Sequence, residues 1–388
     1  MLVVIASDKF KGSLTGAQVA SAVETGLGRK IPGLRTRVVP VADGGEGTLS
    51  AALDAGFVAR ELTVAGPTGE PVAGSIGLRE GTAVVELATA SGLDLLPGGT
   101  KDPLGATSYG TGELIAAALD AGAREIVLGV GGSACTDGGA GMIQALGARL
   151  LDAAGAELPR GGGALTDLAS VDLGGLDPRI AESAVVLAAD VDNPLTGPNG
   201  AAAVFGPQKG ASRQDVELLD AGLANFARVL GLALDPVTVA AQAVAPGAGA
   251  AGGVGFAALA VLGATRRRGI DVVLELTGLE RALEGADAVI TGEGSLDSQS
   301  LEGKTPIGVA ELAARHGVPV FAICGRTLLG ADELRAAGFV HVVSLQELEP
   351  DVRRSMDNAE ALVTQAAERI APMLLSTTDP SDLNTVVS

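Results

Sequence analysis

The sequence predicts an α/β protein: a Rossmann-like (flavodoxin-like) parallel-sheet domain formed by both chain ends, with an inserted mixed-sheet α/β domain. Three observations predict it. Strand and helix patterns alternate over residues 1–60 and again from Ala286, as in a parallel sheet wound by crossovers. Between them, residues 57–97 fall into short alternating runs broken by Gly and Pro, the pattern of hairpins. Hydrophobic residues make up 47% of the chain but aromatics only 2%, with no Trp. The core must therefore be built from Val, Leu, Ile and Ala, which suits close helix–sheet packing.

The elements follow in order. A strand at 2–6 leads through a loop to a helix at 15–28, with Ser13 or Thr15 as its cap. Pro32-Gly33 ends the exit loop, and a strand at 35–41 and a helix at 46–55 complete the opening. The hairpin strands are 60–64, 73–78 and 83–87. Helices are expected at 111–121, 142–151 and 213–231, and strands at 124–130 and 184–189. The α/β alternation then resumes as strand 287–291, loop 292–305, helix 306–316, strand 318–323, helix 331–337, strand 339–344 and helix 357–372. Gly56, Gly122 and Gly338 each sit where a helix hands over to a strand, the place of a C′ glycine.

At 388 residues the chain exceeds one ordinary core. The expected domains are 1–64 with 287–372, a discontinuous Rossmann-like domain, and 65–286, the inserted domain; 373–388 reads as a disordered polar tail. A crevice between the two domains is the expected meeting place of the glycine-rich loops.

The net charge of −19 argues against nucleic acid and anionic membranes as partners. A phosphorylated ligand would need local Lys, backbone N–H groups or a metal to hold it. Two cysteines, Cys135 and Cys324, are too few for a disulfide framework and lack metal-ligand spacing, which fits a reduced, cytoplasmic setting. Met1-Leu-Val-Val-Ile-Ala-Ser7 has no basic residues before its apolar run and reads as a strand, not a signal peptide. Residues 236–265 carry no charge and precede Arg266-Arg-Arg268, like a membrane span with a basic flank. The small-residue run Pro246-Gly-Ala-Gly-Ala-Ala-Gly-Gly-Val-Gly255 breaks it, so a glycine loop and a buried helix are expected instead.

Chemistry concentrates in five loops. The most conspicuous is Gly129-Val-Gly-Gly-Ser-Ala-Cys-Thr-Asp-Gly-Gly-Ala-Gly141, between a strand and a helix start. Such a turn exposes backbone N–H groups to an anion; the alternative is a tight connection whose glycines only permit unusual dihedrals. The others are Ser7-Asp-Lys-Phe-Lys-Gly-Ser13, Ala42-Asp-Gly-Gly-Glu-Gly-Thr48, Asp190-Val-Asp-Asn-Pro-Leu195 leading to Phe205-Gly-Pro-Gln-Lys-Gly-Ala211, and Thr291-Gly-Glu-Gly-Ser-Leu-Asp297 through Gly303-Lys-Thr-Pro306.

Of 27 basic residues only six are lysines, and four of these, Lys9, Lys11, Lys209 and Lys304, lie in these loops. A compact ammonium there suits a phosphate; solvated loop charge is the alternative. Glu293 and Asp297, beside glycine and serine just past a strand, are candidate hard-oxygen ligands for Mg²⁺. Asp43, Asp137 and Asp190 could bind metal or orient a hydroxyl, although singly such residues are often caps or turns.

Two motif matches fail. Gly303-Lys304-Thr305 resembles the end of a P-loop, but Ser298 stands where its first glycine belongs. Gly129-Val-Gly-Gly-Ser-Ala134 fits G-x-G-x-x-A, but its strand does not open a βαβ unit and no acidic residue follows at a second strand end. His316 and His341 lie outside the loops, which disfavours histidine chemistry.

Taken jointly and in order, these loops resemble the bacterial type 1 glycerate kinase family. The matching segments are Asp8-Lys-Phe-Lys-Gly-Ser13, Pro40-Val-Ala-Asp-Gly-Gly-Glu-Gly-Thr48, Gly131-Gly-Ser-Ala134 with Asp137-Gly-Gly139, Asp190-Val-Asp-Asn-Pro-Leu195, Phe205-Gly-Pro-Gln-Lys-Gly-Ala211, and Thr291-Gly-Glu-Gly294 with Asp297 and Gly303-Lys304. The likeness spans residues 1–372. It departs at Cys135-Thr136, where Thr-Asn is usual, and at Ala189, where Cys commonly precedes the aspartate.

The resemblance implies ATP- and Mg²⁺-dependent phosphorylation of D-glycerate, in most members at the 2-hydroxyl, with the 3-hydroxyl open. It implies Lys11, Asp43 and Asp190 as catalytic residues, with Asp190 orienting the hydroxyl or taking its proton. Asp8, Lys9, Ser13, Gly44, Gly45, Glu46, Gly131, Gly132, Ser133, Asp137, Asn193, Lys209 and Lys304 would bind substrate and phosphate, and Glu293 and Asp297 the Mg²⁺. Expected partners are the small molecules D-glycerate and ATP, neither nucleic acid nor membrane, with a homo-oligomer left open. Two other classes are weighed: a nicotinamide-dependent oxidoreductase using the 129–134 glycines, and a non-catalytic sugar-acid binding protein.

Overall fold

The structure, a computed structural model, describes residues 1–298 and 300–377. Its strands in chain order are β1 (Leu2–Ser7), β2 (Arg35–Val38), β3 (Val58–Ala65), β4 (Pro71–Arg79), β5 (Thr82–Glu86), β6 (Glu125–Gly129) and β7 (Arg149–Leu151). They continue with β8 (Ser170–Asp172), β9 (Ala184–Ala188), β10 (Thr265–Arg267), β11 (Ala288–Leu296), β12 (Val320–Thr327) and β13 (Phe339–Ser344). Met1–Asp43 and the described residues from Ile270 form one compact unit, and Gly44–Gly269 forms the other.

The first unit holds a five-stranded sheet in the order β13-β12-β11-β1-β2, every pair parallel. Successive side chains of a strand point to opposite faces, and both faces are covered. Val3, Ile5, Ile290 and Phe321 pack on Val19, Val23 and Leu27 of the helix Gly16–Lys30, and on Val363 and Ile370 of the helix Ala359–Thr377. Val4, Ala6 and Val289 pack instead on Ile270, Leu274, Val309 and Leu312. Each fully buried Val, Leu or Ile contributes about 1.5–3 kcal/mol, which is why β1 reads as an unbroken apolar run. The helix Gly16–Lys30 starts at Thr15, not Ser13. Thr15 and Gln18 form a capping box, with Thr15 N–H donating to Gln18 Oε1 at 2.9 Å and Gln18 N–H to Thr15 Oγ1 at 3.3 Å.

The second unit holds a six-stranded mixed sheet in the order β10-β9-β6-β5-β4-β3. β3, β4 and β5 are antiparallel, as the hairpin pattern predicts, and β5, β6, β9 and β10 are parallel. Ile76, Val85, Leu87, Leu114, Ile126 and Leu128 fill its core. Phe226 and Phe256 meet edge to face at 5.8 Å in the same core. No helix among the described residues is long and apolar enough to cross a membrane.

Several expectations need correction. The unit boundaries fall at 43/44 and 269/270, not 64/65 and 286/287. β3 is tied to the second unit by pairing with β4, while Ile270 and Leu274 bury into the first unit's core. The helix expected at 142–151 spans only Ala140–Ala145 and gives way to β7. Gly147 turns the chain there at φ 104, and a Cβ on it would lie 2.0 Å from the Gly175 carbonyl.

The loop expected at 292–305 starts too early, because β11 runs to Leu296 and pairs with β12 along Glu293↔Cys324 and Ser295↔Arg326. The apolar run stops at Ile290, but backbone pairing does not need it. β10 and the helix Gly269–Thr277 have no counterpart among the expected elements, where only the basic run Arg266-Arg-Arg268 is marked. The helix expected at 357–372 is two, Val352–Asp357 and Ala359–Thr377. Residues 373–377 of the expected tail are therefore helical, held by the wholly buried Leu374, and 378–388 lie outside the described residues.

Candidate active site

In parallel sheets, loops that follow strand C-termini gather at one edge. In the first unit that edge carries the loops after β1, β2 and β11. Asp8 directly follows β1, and its N–H donates to the Gly292 carbonyl at 2.9 Å. Its Oδ1 accepts from the Lys9 N–H at 2.7 Å and its Oδ2 from the Thr305 hydroxyl at 3.1 Å. Burial, and next the Asp43 charge, push the Asp8 carboxyl up to about 6.

Glu293 lies inside β11, not past its end. Burial pushes it up to about 7; the Ser300 side chain and Lys304 pull it back, and Asp8 and Asp297 add to the rise. Its Oε1 is buried with no hydrogen-bond partner, as is Thr291 Oγ1. Asp297 closes the following turn, taking the Ser300 N–H at 3.3 Å. Asp43 thus acts electrostatically on Asp8, and Asp8, Asp297 and Lys304 act on Glu293. Among the described residues no three His, Cys, Asp or Glu side chains form a ready-made metal cage.

Lys11 is exposed on the first loop, whose backbone passes over Gly294: a Cβ there would lie 3.4 Å from Lys11 N. Lys9 is half-buried on the same loop. The Ser13 hydroxyl donates to Phe10 O at 3.0 Å and braces the loop's own turn.

In the second unit the glycines bring backbones together. Gly44 has φ 84, and a Cβ on it would lie 2.2 Å from Gly269 Cα. A Cβ on Gly131 would lie 2.5 Å from Gly45 Cα and 2.9 Å from Glu46 N. No side chain fits at either contact. The Gly269 N–H in turn donates to Asp190 Oδ1 at 2.8 Å. Gly44, Gly45, Glu46, Gly131 and Asp190 therefore form one contiguous cluster, with Glu46 and Asp190 exposed. Asn193 braces its own loop, donating through Nδ2 to Asn199 O at 2.8 Å.

The 129–141 stretch divides in two. Asp137 is wholly buried; its Oδ2 accepts from Ser108 N–H at 2.8 Å, Ser108 Oγ at 2.9 Å, Gly141 N–H at 3.2 Å and Thr107 Oγ1 at 3.3 Å, and its Oδ1 from Gly139 N–H at 3.1 Å. The protein thus fills this helix start with its own anion. Ala134 and Gly138 N–H donate to Ser91 O and Gly252 O. Both carboxylate oxygens of Asp137 are thus taken up by internal donors that organise the loop. The nicotinamide reading weakens, since the pyrophosphate's usual place at the helix N-terminus is occupied.

Lys209 likewise has internal partners. At 2% exposure it is turned inward; its Nζ donates to Ser133 Oγ at 2.8 Å and to Cys135 O. Sequence reading also missed Glu86, a buried carboxylate ending β5 that accepts from Gly47 N–H at 3.1 Å and Leu49 N–H at 2.9 Å and so fixes the second loop. A charge inside the apolar run Ala83-Val-Val-Glu-Leu87 was the available signal. Thr305, the partner of Asp8, carried no such signal.

The class comes first from a solved structure. The chain resembles the crystal structure described as glycerate kinase 2 from Salmonella typhimurium LT2, with TM-score 0.83 and 43% identity, over 97% of this chain and 98% of that one. It is 51% identical to a glycerate kinase of Bacillus subtilis (strain 168) over 329 residues, 84% of this chain and 85% of that protein. It is 46% identical to the glycerate 2-kinase of Escherichia coli (strain K12) over 381 residues, 96% and 98%. The model of the glycerate kinase family matches residues 3–375, and the chain belongs to that family. It is accordingly an enzyme, a phosphotransferase with an alcohol group as acceptor.

Proposed function

We propose that this kinase transfers the γ-phosphoryl group of ATP to the 2-hydroxyl of D-glycerate, giving 2-phosphoglycerate and ADP, with Mg²⁺ as cofactor. The choice of hydroxyl follows the name of the Escherichia coli relative. The observation that carries the chemistry is the buried, partnerless Oε1 of Glu293, set among Asp8, Asp297 and Lys304. A carboxylate oxygen left dry and unpaired is costly unless something binds it. Mg²⁺ fits, because it is commonly held by one or two carboxylates together with substrate phosphates and water. Glu293 and Asp297 would hold it, and when bound it supplies charge neutralisation at the phosphate oxygens.

Phosphoryl transfer depends on alignment and charge neutralisation. In the first unit Lys9, Lys11 and Lys304 neutralise anionic oxygens; in the second the Gly131–Ser133 amides donate to an anion. Asp190, steadied through Oδ1 by the Gly269 N–H, orients the acceptor hydroxyl, and Asp43 is a further catalytic carboxylate. The glycerate oxygen bonds to phosphorus, the bond from phosphorus to the ADP oxygen breaks, and the hydroxyl proton passes to a carboxylate. The setting is cytoplasmic, in keeping with two free, buried cysteines.

The test is incubation with ATP, Mg²⁺ and D-glycerate, followed by ³¹P NMR of the product. 2-Phosphoglycerate with stoichiometric ADP is expected. 3-Phosphoglycerate would overturn the choice of hydroxyl, turnover unchanged in EDTA the metal, and no ADP the whole reading.

A further inference from the structure

Lys209 is one of the largest fully buried side chains of the protein, yet it carries an ammonium group. Buried charges need partners, and it has two acceptors, Ser133 Oγ at 2.8 Å and the Cys135 carbonyl. Burial pulls its pKa below the usual lysine value, while Cys135 and Asp137 pull it back up. Ser133 keeps a small exposed edge (7%) and follows directly on Gly131 and Gly132.

A hydroxyl has one proton and two lone pairs. The ammonium of Lys209 occupies a lone pair of Ser133, so the Ser133 proton must be directed elsewhere. No acceptor for it is found among the described residues. We infer that Ser133 donates this proton to an anionic oxygen of a bound substrate, and that Lys209 is the positioning residue that aims and polarises it from behind. The ligand class is a small anion with carboxylate or phosphoryl oxygens, chemistry that the acid substrate and the nucleotide share. The inference rests on the kinase reading and deepens it, since it separates a residue that touches ligand from one that acts through it.

The test is calorimetric titration of wild type, Ser133→Ala, Ser133→Thr, Lys209→Met and the Ser133→Ala/Lys209→Met double variant. D-Glycerate and a non-hydrolysable ATP analogue with Mg²⁺ are titrated separately, beside turnover of the wild type. Ser133→Ala should weaken one of the two ligands roughly tenfold to a hundredfold, as for a lost hydrogen bond to a charged group, and leave the other unchanged. Ser133→Thr should restore most of the loss. Lys209→Met should weaken the same ligand, with the double variant no worse than the worse single one. The ligand affected identifies the source, carboxylate or phosphate. Should Lys209→Met fail to fold, Lys209→Gln carries the same comparison.

Unchanged affinity for both ligands in Ser133→Ala overturns the inference, as does a Lys209 effect on the ligand that Ser133→Ala spares. If the wild type transfers no phosphoryl group but Ser133→Ala still loses one ligand, the kinase reading fails and this inference stands. If the wild type turns over and both Ser133 variants bind normally, the reverse holds.

Discussion

Asp137 and Ser108 are joined twice: one carboxylate oxygen accepts both the backbone N–H of Ser108 at 2.8 Å and its hydroxyl at 2.9 Å. Both residues are wholly buried. The Ser108 hydroxyl also accepts from the Met142 N–H at 2.9 Å, so the pair locks the helix Tyr109–Asp120 to the helix Ala140–Ala145. Asp137→Ala would leave buried donors unpaired and should cost about 4 kcal/mol. A fall in urea midpoint at constant m is the readout. A loss below about 1 kcal/mol would mean the carboxylate does not organise this loop.

Gly44 separates a steric demand from a dihedral one. Gly44 and Gly56 both have positive φ, 84 and 95, but a Cβ on Gly44 meets Gly269 Cα at 2.2 Å, whereas one on Gly56 meets nothing within 4 Å. Gly56→Ala should cost about 1–2 kcal/mol for its left-handed backbone alone. Gly44→Ala should cost visibly more, and should lower kcat because it pushes the second loop away from Asp190's partner. Equal stability losses in the two variants would show that the close approach can relax.

The parallel sheets and hairpins were legible because burial on both faces of a strand leaves apolar runs, and alternation leaves a period. Register and loop closure were not. Glu293 looks like a loop residue because apolar character ends before it, although backbone pairing continues to Leu296. Asp137 and Lys209 looked like ligand-binding charges in glycine-rich loops; only their burial shows that their partners are internal. Gly44 and Gly131 are places of close backbone approach, and no sequence pattern names the backbone on the other side.

Asp8 sets a pH dependence of stability. Its carboxyl is raised from 3.8 to about 6 by burial and by Asp43. The folded protein therefore holds a proton there that the unfolded chain has released between those values, so stability falls as pH rises from about 4 to 6 and stays lower above. Asp8→Asn keeps an acceptor for Lys9 N–H and removes the charge. It should stabilise the protein at pH 7.5 by up to about 3 kcal/mol, with no gain at pH 3.5, while turnover falls. A thermal shift of equal size at both pH values would exclude the buried charge as its cause.

For the metal, Glu293→Gln and Asp297→Asn are the informative pair. Each removes one anionic ligand from a set with few protein donors, so each should raise the Mg²⁺ concentration for half-maximal rate by about tenfold or more. Glu293→Gln should also raise thermal stability in metal-free buffer, since it relieves a carboxylate with a buried, unpartnered oxygen, whereas Asp297→Asn should show little change. Unaltered Mg²⁺ dependence in both variants, at unaltered fold, would remove these residues from the metal site.

Lys11 gives the sharpest test of the first loop. It is exposed just after β1, with its backbone over Gly294 of β11, so its flexible stem starts at the edge where Asp8 and Glu293 lie. If its ammonium neutralises the transferring phosphoryl group, it acts more strongly in the transition state than on bound substrate. Lys11→Met keeps most of the stem and removes the charge. It should cost roughly 3–4 kcal/mol of transition-state stabilisation, about a hundredfold to a thousandfold in kcat, as for one preorganised donor, with KM less affected. Lys30→Met is the matched control: Lys30 is exposed and pairs with Glu368 at 3.3 Å, a surface contact worth little. Both variants should fold normally. Similar activities in the two would make Lys11 a solvated surface charge and would withdraw the first loop from the phosphate site.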